Sequence, residues 1–292
     1  MSTVATIVRS ARPRQWVKNV LVFAPLVFAQ QALEPRAVGR SLAAFALFCL
    51  ASAAVYLVND MLDCEQDRQH PRKRLRPIAA GELSPAAAGA AAAVLGAAAL
   101  AGAALVGTGL ALVLGAYLGI SLAYARLLKH VVIVDVMTLA SGFVLRVVAG
   151  GVATGVPLSL WLLLCTSLLA LFLGFGKRRH ELVLLEINAS SHRPILAEYS
   201  PYFLDQLIAV VTTSTLVTYA LYTMDPAVHQ KLGTPYLPLT IPFVLYGIFR
   251  YLYLVHQKQE GGDPSQIVFS DRPLLVNVLL WIATAFFILY YR

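Results

Sequence analysis

Asn59-Asp60-Met61-Leu62-Asp63-Cys64-Glu65-Gln66-Asp67 closes the second long apolar run of the chain. On an α-helix turning roughly 100° per residue, Asp60, Asp63 and Asp67 fall within about 60° of one another, while Glu65 points away. A carboxylate deep in a bilayer costs on the order of 3 kcal/mol even on a lenient scale. At the C-terminus of a helix it also meets the negative end of the macrodipole. Three such acids on one face need a counter-charge or a water-lined cavity. Arg68, Arg72, Lys73, Arg74 and Arg76 follow at once, and a divalent metal held by aspartates beside a basic loop points to phosphate chemistry. The plainer reading, a solvated helix end with acidic decoration, leaves the shared face and the adjoining apolar run unexplained.

The surrounding chain has 292 residues, 59% of them hydrophobic and only 13% charged, where a soluble domain carries about 25%. Its apolar residues come in blocks near the length that crosses a bilayer. The expected fold class is an all-α, polytopic membrane protein. Nine spans are expected, at about 16–33, 40–61, 85–106, 108–128, 132–153, 158–176, 203–223, 235–256 and 273–291, forming a bundle around a central cavity open to the cytoplasmic side. The first span is the least regular, because Pro25 would kink it. The third, rich in Ala and Gly, suits close helix packing. Nothing divides the chain, so residues 1–292 read as one domain.

In such a protein the net charge of +8 reports topology and not nucleic-acid binding. With the N-terminus in the cytoplasm, about 18 of the 23 Lys and Arg lie on that side, as the positive-inside rule requires. The aspartate stretch then faces the cytoplasm and the C-terminus lies outside, in a plasma (inner) membrane. Connections 62–84 and 177–202 read as caps over an inward-opening cavity. Cys49, Cys64 and Cys165 form neither a disulfide framework nor a zinc pattern. Arg9, Arg12 and Arg14 before an apolar stretch look superficially like a signal peptide, but no small-x-small cleavage site follows, so the segment reads as retained.

Other charges are candidates beside their plainer readings. Asp135, early in the fifth span, suits a second metal or substrate role. Arg146, mid-span, is a buried guanidinium that suits anion recognition, or pairing with an acid on another helix. Lys177 and Arg178 could reach back over the cavity to a phosphate, while Arg179 reads as a stop-transfer flank. Lys18 and Asn19 sit at the mouth of the first span, with Trp16 as an interfacial anchor. His70, His180 and His192 show no metal-ligand spacing, and there is no Gly-rich phosphate loop or nucleophile elbow.

Nine spans, Asn59-Asp60-x-x-Asp63-x-x-x-Asp67 after the second and an acidic site near the fifth resemble the UbiA superfamily of intramembrane prenyltransferases. Within it the chain looks most like the decaprenyl-phosphate phosphoribosyltransferase branch, through Arg12-Pro13-Arg14-Gln15-Trp16-Val17-Lys18-Asn19, the run from Tyr56 to Gly81, Leu128-Lys129-His130, Arg146-Val147-Val148-Ala149-Gly150-Gly151 and Gly176-Lys177-Arg178. Typical aromatic prenyltransferases of that superfamily carry a second paired-aspartate motif. Here Asp135 is followed four residues later by Leu139, a departure that favours the phosphoribosyl branch.

The resemblance implies a Mg²⁺-dependent transfer of 5-phosphoribose from 5-phosphoribosyl 1-diphosphate to a polyprenyl phosphate, releasing diphosphate. Asp60, Asp63 and Asp67 are then the metal ligands, with Asp135 assisting as a fourth catalytic residue. Asn59 would orient them or the ribose. Lys18, Arg72, Arg74, Lys129, Arg146, Lys177 and Arg178 are the candidates for binding the two phosphates, and a homo-oligomer is compatible with the chain. The competing enzyme would move a polyprenyl group from its diphosphate to an aromatic acceptor such as 4-hydroxybenzoate. A transporter fits worse, because the acids cluster at one edge and no paired broken helices appear.

Overall fold

The computed structural model describes residues 3–69, 73–187, 194–258 and 264–291. Among them the ordered elements are helices, with no strand. A short amphipathic helix, α1 (Thr3–Ser10), leads into a 3₁₀ segment (Pro13–Phe23) completed by α2 (Ala24–Phe28). Next come α3 (Pro35–Leu62) and α4 (Cys64–Gln69), then α5 (Pro85–Val106), α6 (Thr108–Arg126), α7 (Val134–Thr154) and α8 (Leu160–Ile187). The chain ends with α9 (Pro201–Met224), α10 (Pro226–Leu232), α11 (Ile241–His256), α12 (Pro264–Ser270) and α13 (Arg272–Tyr290). Among the described residues, eight helical stretches are long and apolar enough to cross a membrane: α3, α5, α6, α7, α8, α9, α13, and α11 together with the turn from Leu237 that precedes it. The protein is a multi-pass membrane protein.

Local sequence sets several helix starts. Ser84-Pro85, Ser200-Pro201 and Asp225-Pro226 each place a capping oxygen before a proline whose missing N–H costs the first turn nothing. The Ser84, Ser200 and Asp225 side chains accept from the N–H groups of Ala87, Phe203 and Ala227. Asp271 caps α13 in the same way, accepting from Leu274 at 2.9 Å. Small residues let helices approach: α5 buries Ala88, Ala92, Ala99 and Ala103 on one stripe and lies against α3. One core gathers Phe48, Leu110, Leu114 and Tyr117 between α3, α6 and α7. A second gathers Phe172, Leu204, Tyr251 and Leu254 between α8, α9 and α11.

The first expected span is corrected. Residues 16–33 do not form an α-helix of membrane length, so among the described residues eight helical stretches and not nine meet that standard. The segment still runs the height of the bundle. At one end Arg12, left-handed at φ 52°, bonds Asp60 near the end of α3. At the other, the Gln30 amide donates to the carbonyls of Leu232 and Leu289 at 2.9 and 3.1 Å. A 3₁₀ helix rises about 2.0 Å per residue against about 1.5 Å for an α-helix. Eleven residues of the one and five of the other therefore cover about 30 Å, the thickness of the hydrocarbon core. Pro13 and Pro25 and the polar Gln15, Lys18 and Asn19 deny it a regular apolar α-helix.

Two contacts fix this segment on α7. A methyl group on Gly150 would lie 1.9 Å from the Val22 carbonyl oxygen, so only glycine permits the approach. One turn earlier on α7, Arg146 Nε donates to Asn19 Oδ1 at 2.7 Å.

Candidate active site

The α3 helix ends at Leu62 and α4 begins at Cys64, so the aspartate stretch is not one uninterrupted helix. The N–H of Asp63 nevertheless donates to Asn59 O at 2.9 Å and that of Asp67 to Asp63 O at 2.8 Å. These bonds preserve the helical phase across the join and keep the three acids at one place. They lie beside a cavity of about 130 Å³, whose walls include Asn59, Asp60, Asp63, Tyr56 and Gln66. Arg12, Arg76, Lys129, Tyr124 and His130 complete the polar wall, with Ile195 beside them.

Each aspartate has a basic partner. Asp60 is buried and its Oδ1 accepts from Arg12 and, at 3.0 Å, from Arg76. Arg76 also donates to Asp67 Oδ2 at 2.6 Å, so Asp67 lies behind Arg76 and not on the cavity wall. Asp63 Oδ1 accepts from Lys129 Nζ at 2.7 Å. The Arg12 guanidinium lies 5.1 Å above the Tyr56 ring, a cation–π contact that steadies it over the opening. Lys129 comes from the turn between α6 and α7, and Arg12 from the start of the 3₁₀ segment, so three regions distant in sequence converge.

Asp60 Oδ2 is buried with no hydrogen-bond partner. A buried, unpaired carboxylate oxygen costs several kcal/mol unless something binds it. Its position and chemistry suit a hard divalent cation, and Asn59, Asp63 and Asp67 supply the further oxygens such an ion prefers. The cage is not preformed: among the described residues no three acidic, His or Cys side chains converge as a ready metal site. The bonds from Arg12, Arg76 and Lys129 draw the carboxylates toward the cations. An incoming ion must share or replace them.

The other expected site residues divide. Lys129 and Asn59 line the cavity. Asp135 does not. It is fully buried, its Oδ2 accepting from Arg178 Nε at 2.7 Å and its Oδ1 from the Tyr199 hydroxyl at 2.8 Å. Burial pushes the Tyr199 phenol up to about 12, so it remains a donor at neutral pH. Arg178 is corrected with it: the side chain is buried, with Nη1 on Glu181 at 2.6 Å and Nη2 on Tyr124 at 3.2 Å, so no free guanidinium reaches over the opening.

Arg146 is likewise sealed away from the cavity wall. It meets Asn19, the Gly142 carbonyl and the Tyr117 hydroxyl, with Phe48, Tyr117 and Phe143 around the guanidinium. The expected acid from another helix is replaced by neutral oxygens and aromatic faces. Lys18 and the exposed Arg74 lie off the cavity wall, as does Lys177, 3.9 Å from Glu181. Arg72, with His70 and His192, lies outside the described residues. Arg179 pairs with Asp205 on α9 instead of flanking the membrane unpaired.

Sequence reasoning missed Arg12, Arg76, Tyr56, Gln66, Tyr124 and His130 as wall residues. Arg12 carried one readable signal: it heads the Arg12-Pro13-Arg14-Gln15-Trp16-Val17-Lys18-Asn19 stretch that carries the family resemblance.

Comparison with known proteins follows the same geometry. The UbiA prenyltransferase family model matches residues 20–272. A protein of Mycobacterium tuberculosis named decaprenyl-phosphate phosphoribosyltransferase is 40% identical over 285 residues, covering 96% of this chain and 93% of that one. The protein of the same name from Corynebacterium glutamicum is 38% identical over 280 residues, covering 94% and 84%. Among solved structures, a UbiA homolog from Archaeoglobus fulgidus bound to GPP and Mg²⁺ superposes with a TM-score of 0.72 at 18% identity, covering 97% of this chain and 99% of that one.

Proposed function

The chain belongs to the UbiA prenyltransferase family, and on that premise we propose that it is a polyprenyl-phosphate phosphoribosyltransferase. It would move 5-phosphoribose from 5-phosphoribosyl 1-diphosphate to a long polyprenyl phosphate. The observation that carries this reading is the 36–40% identity, over nearly the whole chain, to relatives bearing that activity in their names. The cavity supports it, with three cations and two carboxylates on its wall and a third carboxylate, Asp67, behind Arg76.

Asp60, Asp63 and Asp67, with Asn59, would hold Mg²⁺, which when bound supplies Lewis-acid neutralisation of the leaving diphosphate. The rest of the reaction falls to the chain's own side chains. The bond from the anomeric carbon to the diphosphate oxygen breaks, the electron pair leaves with diphosphate, and an acceptor phosphate oxygen forms the new bond. Arg12 and Arg76 would turn from Asp60 onto phosphate oxygens, a charge-assisted exchange that holds donor and leaving group. Lys129 would do the same from Asp63. The acceptor phosphate is ionised at neutral pH, so no general base is required. The polyprenyl tail would lie along apolar helix faces, with the site and the N-terminus cytoplasmic in a plasma (inner) membrane.

Purified protein incubated with Mg²⁺, polyprenyl phosphate and radiolabelled 5-phosphoribosyl 1-diphosphate should yield labelled lipid. An unlabelled lipid, together with transfer of a prenyl chain from its diphosphate to 4-hydroxybenzoate, would reassign the donor.

A further inference from the structure

We infer that Arg178 is the permanent cation of the second acidic site, so that this chain holds one divalent ion, at the aspartate helix end, and none at Asp135. An ion bound at Asp135 would need carboxylate oxygens facing a common space. Arg178 fills that space. Its Nε takes Asp135 Oδ2 at 2.7 Å and its Nη1 takes Glu181 Oε2 at 2.6 Å, so one guanidinium stands between the two carboxylates. The second Asp135 oxygen is taken by Tyr199, and Nη2 of the arginine rests on Tyr124.

The arrangement is closed around Asp135 and Arg178, while Glu181 keeps a quarter of its side chain exposed. Arg178 is 1% exposed and Asp135 0%, whereas Mg²⁺ keeps several waters and demands near-octahedral oxygens. A planar fork with fixed donors suits two carboxylates better than the single point charge of lysine. Four residues along α7, where a second acid would share the face of Asp135, stands Leu139. The helix-end cluster is built the other way, with Asp60 Oδ2 unpartnered. Tyr124 belongs to the cavity wall, so the fixed positive charge of Arg178 stands one phenol behind the substrates.

The inference rests on the proposed Mg²⁺ site at Asp60 but on neither donor nor acceptor. Full-length protein in detergent is titrated with Mn²⁺ and followed by electron paramagnetic resonance. The expected result is one ion per chain with the spectrum of an isolated centre, lost in Asp60→Asn. Two ions per chain, with dipolar broadening, overturn it. No bound ion overturns it together with the metal part of the proposed function, while the labelled-lipid assay judges donor and acceptor separately.

Arg178→Ala leaves the Asp135, Glu181, Tyr124 and Tyr199 oxygens around a hole, and the count should rise from one to two. Arg178→Lys should stay at one. A folded Arg178→Ala protein that still binds a single ion overturns the claim that the guanidinium stands in a metal's place. Should that variant not fold, the wild-type count alone decides.

Discussion

Two groups of acids sit at the same end of this bundle, and they are finished differently. Around Asp135 each carboxylate oxygen has one dedicated partner, and the principal cation, Arg178, is buried with it. Around Asp60 one arginine is divided between two acids, one oxygen has no partner, and the cations Arg12, Arg76 and Lys129 remain between a fifth and a third exposed. Burial alone does not separate them, because Asp60 and Asp67 are each only 2% exposed. What separates them is completeness. A closed set of partners gives rigidity, and an incomplete set beside a cavity leaves room for exchange.

The sharpest way to break this contrast is Asp135→Asn. It takes from Arg178 its fully buried partner while the part-exposed Glu181 stays in place, and should cost about 3 kcal/mol of stability, the low end for removing one member of a buried pair. Thermal unfolding in detergent reads the loss, and an unchanged midpoint would erase the distinction. Asp60→Asn should do the reverse, lowering kcat/KM for the labelled-lipid reaction by about 10²–10³-fold with little change in midpoint. Lys129→Met should raise KM for the donor about tenfold, the effect of one charge-assisted contact, and leave kcat nearer to wild type.

Tyr199→Phe should cost about 1–2 kcal/mol, the two hydrogen bonds in which its hydroxyl donates to Asp135 and accepts from the Ile133 N–H, and its pH dependence sharpens the comparison further. The Tyr199 pKa is raised by burial from 10.0 to about 12. A group whose folded pKa is raised contributes fully below its unfolded value and loses that contribution as pH climbs through the folded one. The wild-type advantage over Tyr199→Phe should therefore hold below about pH 10 and vanish toward about pH 12 in unfolding measurements.

Much of this was legible from the sequence where the signal is local. The runs that became the eight membrane-length stretches were found because apolar length is a one-dimensional property. Asp60, Asp63 and Asp67 were found because helical phase survives even the break at Asp63. The buried arginines mark the limit of that reading. Arg178 was a phosphate candidate, and Arg146 an anion candidate or the partner of an acid, because a charge in an apolar helix demands a partner; sequence does not say whether that partner is a ligand, an acid, or, as for Arg146, a set of neutral oxygens and rings. Arg76 was passed over for Arg72 and Arg74 because the choice among neighbouring cations is made by a turn. The 3₁₀ form of the first segment was signalled only as a kink at Pro25, since no periodicity marks a tightened helix.

That segment bears on how the protein is assembled. Its first half, Pro13-Arg14-Gln15-Trp16-Val17-Lys18-Asn19, is too polar to partition into lipid by itself, and it is held by Gly150 and Arg146 of a helix made much later. Order of synthesis and order of threading therefore part company: residues 13–19 leave the ribosome before α7 and have to wait at the surface until α7 offers a seat. A nascent chain cut short before α7 is expected to leave a cysteine placed at Asn19 open to water-borne thiol reagents, and one that includes α7 to shield it.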